Sequence, residues 1–281
     1  MIKGIVIALI LTCYSVEGMN AQNFKGPDTV LVQSGNLTLK GLLWYPTGQG
    51  PFPAIIFCHG SYGGSDTIHD AGQNMSLLGT VFAAKGYIFF GLFRRGVGLS
   101  AGQGVNSTEL MEKAFEERGQ EGRNEVQLMH MQTDQMQDMV SGLKFLRTKK
   151  YVDTNRLAVI GHSFGGSLTL LLAEHEPSLK AVVIFSPGGY SWNLSPPLRA
   201  HVISAVKNIS APVMIIHAQN DYSVTPGYAL DSVMTQINKS HVLKIYPKFG
   251  NTVSDGHSLI FLSIETWEAD VFKFLDENLR R

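Results

Sequence analysis

One pentapeptide constrains the fold of this chain more than any other part of the sequence. Gly161-His-Ser163-Phe-Gly165 lies between an apolar run that ends at Ile160 and a second apolar run that begins at Leu168. This pattern predicts a strand, a sharp turn and a helix, with the serine at the turn. Side chains two residues before or after that serine would collide with the neighbouring strand and helix, so both positions favour glycine. We therefore expect the serine hydroxyl to be exposed at a sheet edge, in front of the free N–H groups of a helix.

Length and charge limit the classes of protein to which the chain can belong. Its 281 residues, 44% hydrophobic and 16% charged, supply enough apolar material for one sizeable core. The 23 basic and 23 acidic residues give a net charge near zero, which argues against a nucleic-acid or polyanion partner. We expect a single domain that acts on a small, weakly charged molecule, and the sequence sets no oligomeric state.

The N-terminus has the pattern of an export signal. Lys3 precedes an apolar stretch too short to span a bilayer as a helix, which predicts a signal peptide over residues 1–21 and a periplasmic or extracellular protein. Cleavage after Ala21 and cleavage after Gly18 both fit. A further alternative is a lipid anchor at Cys13, because Ile-Leu-Thr-Cys13 loosely resembles a lipoprotein signal.

Strand-like and helix-like runs alternate along the rest of the chain. Gly35-Asn36 separates two runs that predict an antiparallel hairpin. Later apolar runs are suited to strands buried on both faces, and Cys58 ends one of them as a small buried hydrophobe. We predict strands near 29–34, 37–45, 54–58, 87–92, 156–160, 181–185, 212–217 and 241–246, and helices near 74–85, 133–149, after the serine, and 258–279. The prediction for residues 22–281 is one α/β domain with a mostly parallel eight-stranded sheet and helices on both faces.

The segment from about residue 101 to residue 130 interrupts this alternation. Its central part, 109–118, is charged and helix-prone, and glycines flank it on both sides. Two interpretations stay open: a lid near the site, or a solvated insertion.

Candidates for activating the serine follow it in the chain. Ser163 needs a base, and the base needs a third group to orient it. Asp221 follows an apolar strand run, and His257 is predicted on a loop between the last strand and the last helix, so both are expected at the edge that carries Ser163. Asp221 could instead cap the helix near residue 226. Asp231 is a weaker candidate acid, and Asp255 is too close to His257 to reach its Nδ1 easily.

A second set of groups is expected to surround a reacting carbonyl. The glycine-rich loop after the strand 54–58 predicts one backbone oxyanion donor at Ser61, with Tyr62 as second choice, and the other at Phe164. The histidines His59 and His162, like His217, are predicted to have packing or supporting roles. This chemistry requires no metal or organic cofactor.

Several motifs together resemble a known family. The elbow pattern, the run that ends in His59-Gly60, the Asp221-x-x-Val-x-Pro226 pattern and Gly256-His257 are similar to those of the dienelactone hydrolase family and of the related prolyl-oligopeptidase catalytic domain. The resemblance covers residues 30 to 280 approximately. It implies an α/β-hydrolase fold, with Ser163 as nucleophile, Asp221 as acid and His257 as base.

Two departures from these families narrow the expected activity. Dienelactone hydrolases proper resemble a cysteine-nucleophile pattern, whereas this chain has a serine, and the N-terminal propeller of the peptidases is absent from the sequence. We therefore expect hydrolysis of a small-molecule carboxylic ester through an acyl-enzyme. The alternatives are a peptidase or an acyltransferase on the same three residues, and a catalytically silent binding protein of the same fold.

Overall fold

The computed structural model describes residues 23–62, 67–189 and 191–280. The predicted signal peptide and the alternative anchor at Cys13 lie outside the described residues. Among the helices in the described part, none combines the length and the apolar character needed to cross a membrane.

A single mixed sheet runs through the molecule. Its strands are β1 (Phe24–Ser34), β2 (Leu37–Pro46), β3 (Phe52–Cys58), β4 (Ile88–Leu92), β5 (Val152–His162), β6 (Ala181–Phe185), β7 (Val213–Ala218) and β8 (His241–Tyr246). They are arranged in the order β1-β2-β4-β3-β5-β6-β7-β8. The first two strands form the predicted antiparallel hairpin, β2 pairs antiparallel with β4, and all later pairings are parallel. The predicted eight-stranded, mostly parallel sheet is confirmed.

Helices cover both faces of the sheet. The described residues form α1 (Thr67–Ala84), α2 (Ser107–Gln132), α3 (Asp134–Arg147), α4 (Phe164–His175), α5 (Ser191–Leu194), α6 (Pro196–Asn208), α7 (Thr225–Gln236), α8 (Val253–His257), α9 (Leu259–Leu262) and α10 (Ile264–Leu279). Helices α1 and α10 pack on one face with the aromatic side chains of Phe82 and Trp267. Leu143 of α3, Leu168 of α4 and Val202 of α6 fill the other face. Strands β3, β4, β6 and β7 are buried between these layers, which explains their continuous apolar runs.

Element ends depart from the prediction where tertiary contacts extend or interrupt a local pattern. Strand β1 begins at Phe24 rather than near residue 29, because its polar start pairs with β2. Helix α1 begins at Thr67 rather than at 74. The predicted closing helix 258–279 is wrong as one element, since Ser263 (φ −149°, ψ 75°) separates α9 from α10.

The segment that interrupts the alternation becomes α2. Gly119, with φ 65° and ψ −158°, breaks this helix into two parts. The first part carries the charged residues and an exposed Phe115, whereas the second buries Asn124 and Gln127. The second part therefore packs onto the protein, and the lid interpretation stays a prediction.

Candidate active site

The predicted elbow forms at the junction of β5 and α4. Ser163 has φ 56° and ψ −121°, a conformation that L-residues rarely adopt and that costs about 1–3 kcal/mol. Its backbone N–H donates to the carbonyl oxygen of Phe185 on the neighbouring strand at 2.9 Å. This contact fixes the turn, which holds the side chain at the carboxyl edge of the sheet.

Sterics at the two flanking glycines explain why the turn needs them. A Cβ on Gly161 would overlap the Oγ1 atom of Thr169 in the following helix. A Cβ on Gly165 would overlap the carbonyl oxygen of Cys58 on the neighbouring strand. The predicted collisions are therefore confirmed: a side chain at Gly161 would meet the following helix, and one at Gly165 would meet the neighbouring strand.

Three side chains that are distant in sequence meet at this edge. The Nε2 atom of His257 lies 2.9 Å from the Oγ atom of Ser163, and its Nδ1 atom lies 2.6 Å from Oδ1 of Asp221. Asp221 follows β7, as predicted. His257 is the last residue of the one-turn helix α8 and not part of a loop, which corrects the prediction; a capping box between Thr252 and Asp255 starts this helix. The arrangement can pass a proton from the serine hydroxyl to the imidazole.

Asp221 is held by more groups than the sequence indicated. His217 places its Nδ1 atom 2.6 Å from Oδ2, and the backbone N–H of Tyr222 donates to Oδ1 at 2.7 Å. Burial by itself would raise the pKa of Asp221, but the hydrogen bonds with His217 and His257 outweigh it and hold the pKa well below its usual value. The carboxylate is therefore ionised at neutral pH and accepts from an imidazole on each oxygen.

The competing acids have other contacts. Asp231 lies on α7 and pairs with His241 at 3.2 Å. Asp255 accepts the backbone N–H groups of Asn251 and Thr252, so its side chain is engaged in the cap of α8. The capping alternative for Asp221 is wrong, because Val224 is the N-cap of α7 and the backbone N–H of its first residue, Thr225, donates to Oγ of Ser223.

Backbone N–H groups from two loops border the serine. Phe164 is the first residue of α4, so its N–H has no acceptor within the helix. A Cβ on Gly60 would lie 3.5 Å from Cβ of Ser163, which places the loop of Ser61 beside the hydroxyl. Ser61 borders both clefts around Ser163, whereas Tyr62 borders one of these two. The oxyanion roles of Ser61, Tyr62 and Phe164 stay predictions.

Two clefts meet at Ser163. The wider one, about 220 Å³, is bordered by Asn74, Ser258 and Phe261. The narrower one, about 50 Å³, has a mostly polar wall that includes Arg123 and Gln127 from α2. The sequence does not predict this wall, because helical periodicity indicates which side of α2 is buried but not what that side packs against.

His162 contacts the backbone of His257, the candidate base. It is 7% exposed, and its Nε2 atom lies 2.9 Å from the carbonyl oxygen of His257. Burial, together with the nearby charge of His257, lowers the pKa of His162 to about 3. The imidazole is therefore neutral over the range in which most proteins work, and its Nε2–H donates to that carbonyl.

Buried His162 should make the fold sensitive to acid. Its pKa is about 3 in the folded protein and about 6.5 in an unfolded chain, so the unfolded state binds the additional proton between these values. The stabilisation is complete above pH 6.5 and is lost as the pH falls toward 3, at up to about 1.4 kcal/mol per pH unit. His162→Gln, which cannot take up this proton, should flatten the fall. Urea unfolding at a series of pH values between 6.5 and 4 measures both slopes.

An exposed histidine provides the control for this measurement. His175 ends α4 at the surface, and His175→Gln should leave the slope of the wild-type protein unchanged. Equal slopes for His162→Gln and the wild type would show that His162 is not the group that links folding to acid.

Comparisons with characterised proteins give hydrolase relatives. Esterase FrsA of Enterobacter sp. (strain 638) is 26% identical over 203 residues, which are 72% of this chain and 41% of that protein. The bis(hydroxyethyl) terephthalate hydrolase of Streptomyces coelicolor is 25% identical over 250 residues, covering 85% of this chain and 63% of that protein. The chain thus spans less than two thirds of each of these relatives.

Comparison with solved structures supports the fold. The acylaminoacyl peptidase of Pyrococcus horikoshii superposes with a TM-score of 0.65 at 18% identity, covering 93% of this chain and 43% of that one. At this identity the similarity defines the architecture alone, which is that of the α/β-hydrolases. The model of the dienelactone hydrolase family matches residues 39–254, more than three quarters of the sequence. The chain therefore belongs to the dienelactone hydrolase family.

Proposed function

We propose that this protein is a serine hydrolase that cleaves a carboxylic ester of a small molecule. One observation carries the proposal: a continuous hydrogen-bonded path runs from Ser163 through His257 to the ionised carboxylate of Asp221. The curated relatives support ester chemistry, since they are named as an esterase and a terephthalate ester hydrolase.

Acylation would begin at the serine hydroxyl. Ser163 Oγ forms a bond to the ester carbonyl carbon while its proton moves to Nε2 of His257. The tetrahedral intermediate then expels the alkoxide, which takes that proton from His257 and leaves as the alcohol. Asp221 accepts a hydrogen bond from Nδ1–H throughout, so it stabilises the imidazolium and keeps the ring in the productive tautomer.

Deacylation repeats the same steps with water. His257 takes a proton from water, whose oxygen bonds to the acyl carbon, and returns the proton to Ser163 as the acyl–oxygen bond breaks. The net reaction is an ester and water giving a carboxylic acid and an alcohol. The N–H groups of Ser61 and Phe164 are proposed to bind the oxyanion in both halves, where losing one donor costs about 3 kcal/mol.

The two clefts predict which esters react. Because the clefts differ in size, one half of the ester must fit the narrow cleft beside Gln127. Two substrate series test this: the methyl esters of C2–C12 acids and the acetates of C1–C12 alcohols. We expect kcat/KM to fall at least about tenfold in one series once the varied chain exceeds four carbons, and to change little with chain length in the other. The amide that corresponds to the best ester should react more slowly than the ester. Chromatographic quantification of the released carboxylic acid measures all three.

Two substitutions on α2 test whether the narrow cleft causes this chain-length limit. Gln127→Ala should extend the tolerated length in the restricted series, because it removes part of the wall. Gln132→Ala, at the exposed end of the same helix, should leave the series unchanged. Faster turnover of the amide would favour a peptidase instead, and no turnover of any ester or amide by folded protein would favour the silent binding protein.

A further inference from the structure

A buried arginine lies beside the loop that is proposed to bind the oxyanion. Arg94 follows β4 and is only 2% exposed. Its Nη1 atom donates to the carbonyl oxygen of His59 at 2.8 Å, and its Nη2 atom donates to that of Gly60 at 3.0 Å. One guanidinium thus holds two consecutive carbonyl groups, which is a geometry that the planar fork of arginine suits.

The neighbouring histidine reinforces the same carbonyl group. The backbone N–H of Arg94 donates to Nε2 of His59 at 3.2 Å, so Nε2 is the unprotonated nitrogen of this ring. Burial and the adjacent guanidinium hold the pKa of His59 well below its usual value, so the ring is neutral and its proton lies on Nδ1. Nδ1 then donates to the carbonyl oxygen of Gly60 at 2.8 Å. The Gly60 carbonyl oxygen therefore accepts two hydrogen bonds, which define its direction.

Strand order places the arginine and the serine on opposite sides of this loop. Strand β3, which leads into His59, lies between β4, which leads into Arg94, and β5, which leads into Ser163. In a trans peptide the C=O of one residue and the N–H of the next point in opposite directions. A Gly60 carbonyl that faces Arg94 therefore directs the N–H of Ser61 toward the side of Ser163.

We propose that Arg94 is a positioning residue that aims the Ser61 N–H at the oxyanion. The inference rests on the proposed esterase function. Arg94 also lies near the second donor, because its guanidinium carbon is 5.4 Å from the centre of the Phe164 ring. Its own orientation is fixed by Gln135, whose Oε1 atom accepts from Nε at 2.6 Å. One buried cation thus holds the loop of the first donor and lies beside the side chain of the residue that carries the second.

Arg94→Lys tests the proposal, because an ammonium group cannot hold both carbonyl groups in the same fork. We expect kcat for the best ester to fall about 100-fold while KM changes less than about threefold, since the lost interaction forms only in the transition state. The decisive readout is the ratio of kcat for that ester to kcat for its thionoester. Sulfur is a weaker hydrogen-bond acceptor than oxygen, so a well-aimed donor favours the oxygen ester. The ratio should fall about tenfold in Arg94→Lys.

The adjacent arginine is the matched control. Arg95 pairs with Asp134 and Asp138 at 2.8 Å and lies outside the site, so Arg95→Lys should keep kcat within about twofold and leave the ratio unchanged. If Arg94→Lys does not fold, Gln135→Leu removes the acceptor that orients the guanidinium, and it should lower kcat about tenfold with a change of the ratio in the same direction.

Each outcome bears on one proposal only. A variant that merely destabilises the fold reduces both substrates in proportion, so an unchanged ratio in Arg94→Lys, or in Gln135→Leu if Arg94→Lys does not fold, would overturn the role assigned to Arg94. A wild-type protein that hydrolyses no ester would instead overturn the proposed function.

Discussion

Ser163→Ala is expected to abolish labelling by a fluorophosphonate probe and to lower kcat for the best ester by about 10⁴-fold or more. The physical reason is that the probe and the ester both react with a serine oxygen whose proton a base removes. Within the described residues, the serine oxygen in hydrogen-bond contact with Nε2 of His257 is Oγ of Ser163, at 2.9 Å. Fluorescent gel labelling and ester turnover measure the two effects. Because alanine keeps the Cβ of Ser163 and loses only the hydroxyl, the backbone strain at this turn is unchanged and the variant should fold about as stably as the wild type.

Ser232→Ala is the control for this experiment. Ser232 lies exposed on α7, away from the base, and its removal should leave labelling and turnover within about twofold of the wild type. Labelling of Ser163→Ala at the wild-type rate would mean that another residue is the nucleophile and that the assigned path is not used.

Asp221→Asn is expected to lower kcat by about 10³- to 10⁴-fold. An amide has one accepting oxygen, whereas Asp221 accepts from His217 on Oδ2 and from His257 on Oδ1. If the amide N–H₂ faces His257, the ring must carry its proton on Nε2 and cannot take one from Ser163. If the oxygen faces His257, the tautomer survives but the negative charge that stabilises the imidazolium is lost. Initial rates over pH 6 to 10, with unfolding followed in parallel, measure the loss.

Asp231→Asn separates this effect from a general loss of aspartate. Asp231 lies on α7, the helix that follows Asp221 in the chain, and it pairs with His241 outside the site. It should keep kcat within about twofold. Comparable losses for both variants would remove the reason for assigning Asp221 to the base.

The fold could be predicted from local patterns because those patterns have local physical causes. Strand β6 forms at 181–185, as predicted, since a strand buried on both faces requires a continuous apolar run. The elbow at Ser163 could be recognised because the turn requires glycine at Gly161 and Gly165, and both positions lie within five consecutive residues. Predicted element boundaries were wrong where pairing with another strand sets the boundary. The polar start of β1 is an example, because it forms a strand only by pairing with β2.

The three proposed catalytic residues could also be predicted, although they are far apart in sequence. Parallel strands bring their carboxyl ends to one edge, so any side chain that follows a strand is a candidate for the same site. This rule selected Asp221 and His257 together with Ser163. It did not predict that His257 would end a short helix, which depends on the capping contacts of Asp255.

The sequence by itself determined the sheet, the elbow and the order of the proposed nucleophile, acid and base, because each follows from periodicity, turn sterics or position after a strand. Only the tertiary structure decided the surroundings of that site. Arg94 and Arg95 are chemically identical neighbours, yet one holds the carbonyl groups of His59 and Gly60 and the other pairs with Asp138. Successive side chains leave a strand end in different directions, and what each one meets is set by elements folded from distant parts of the chain. The contact between His217 and Asp221, and the wall that α2 builds beside Ser163, arise in the same way.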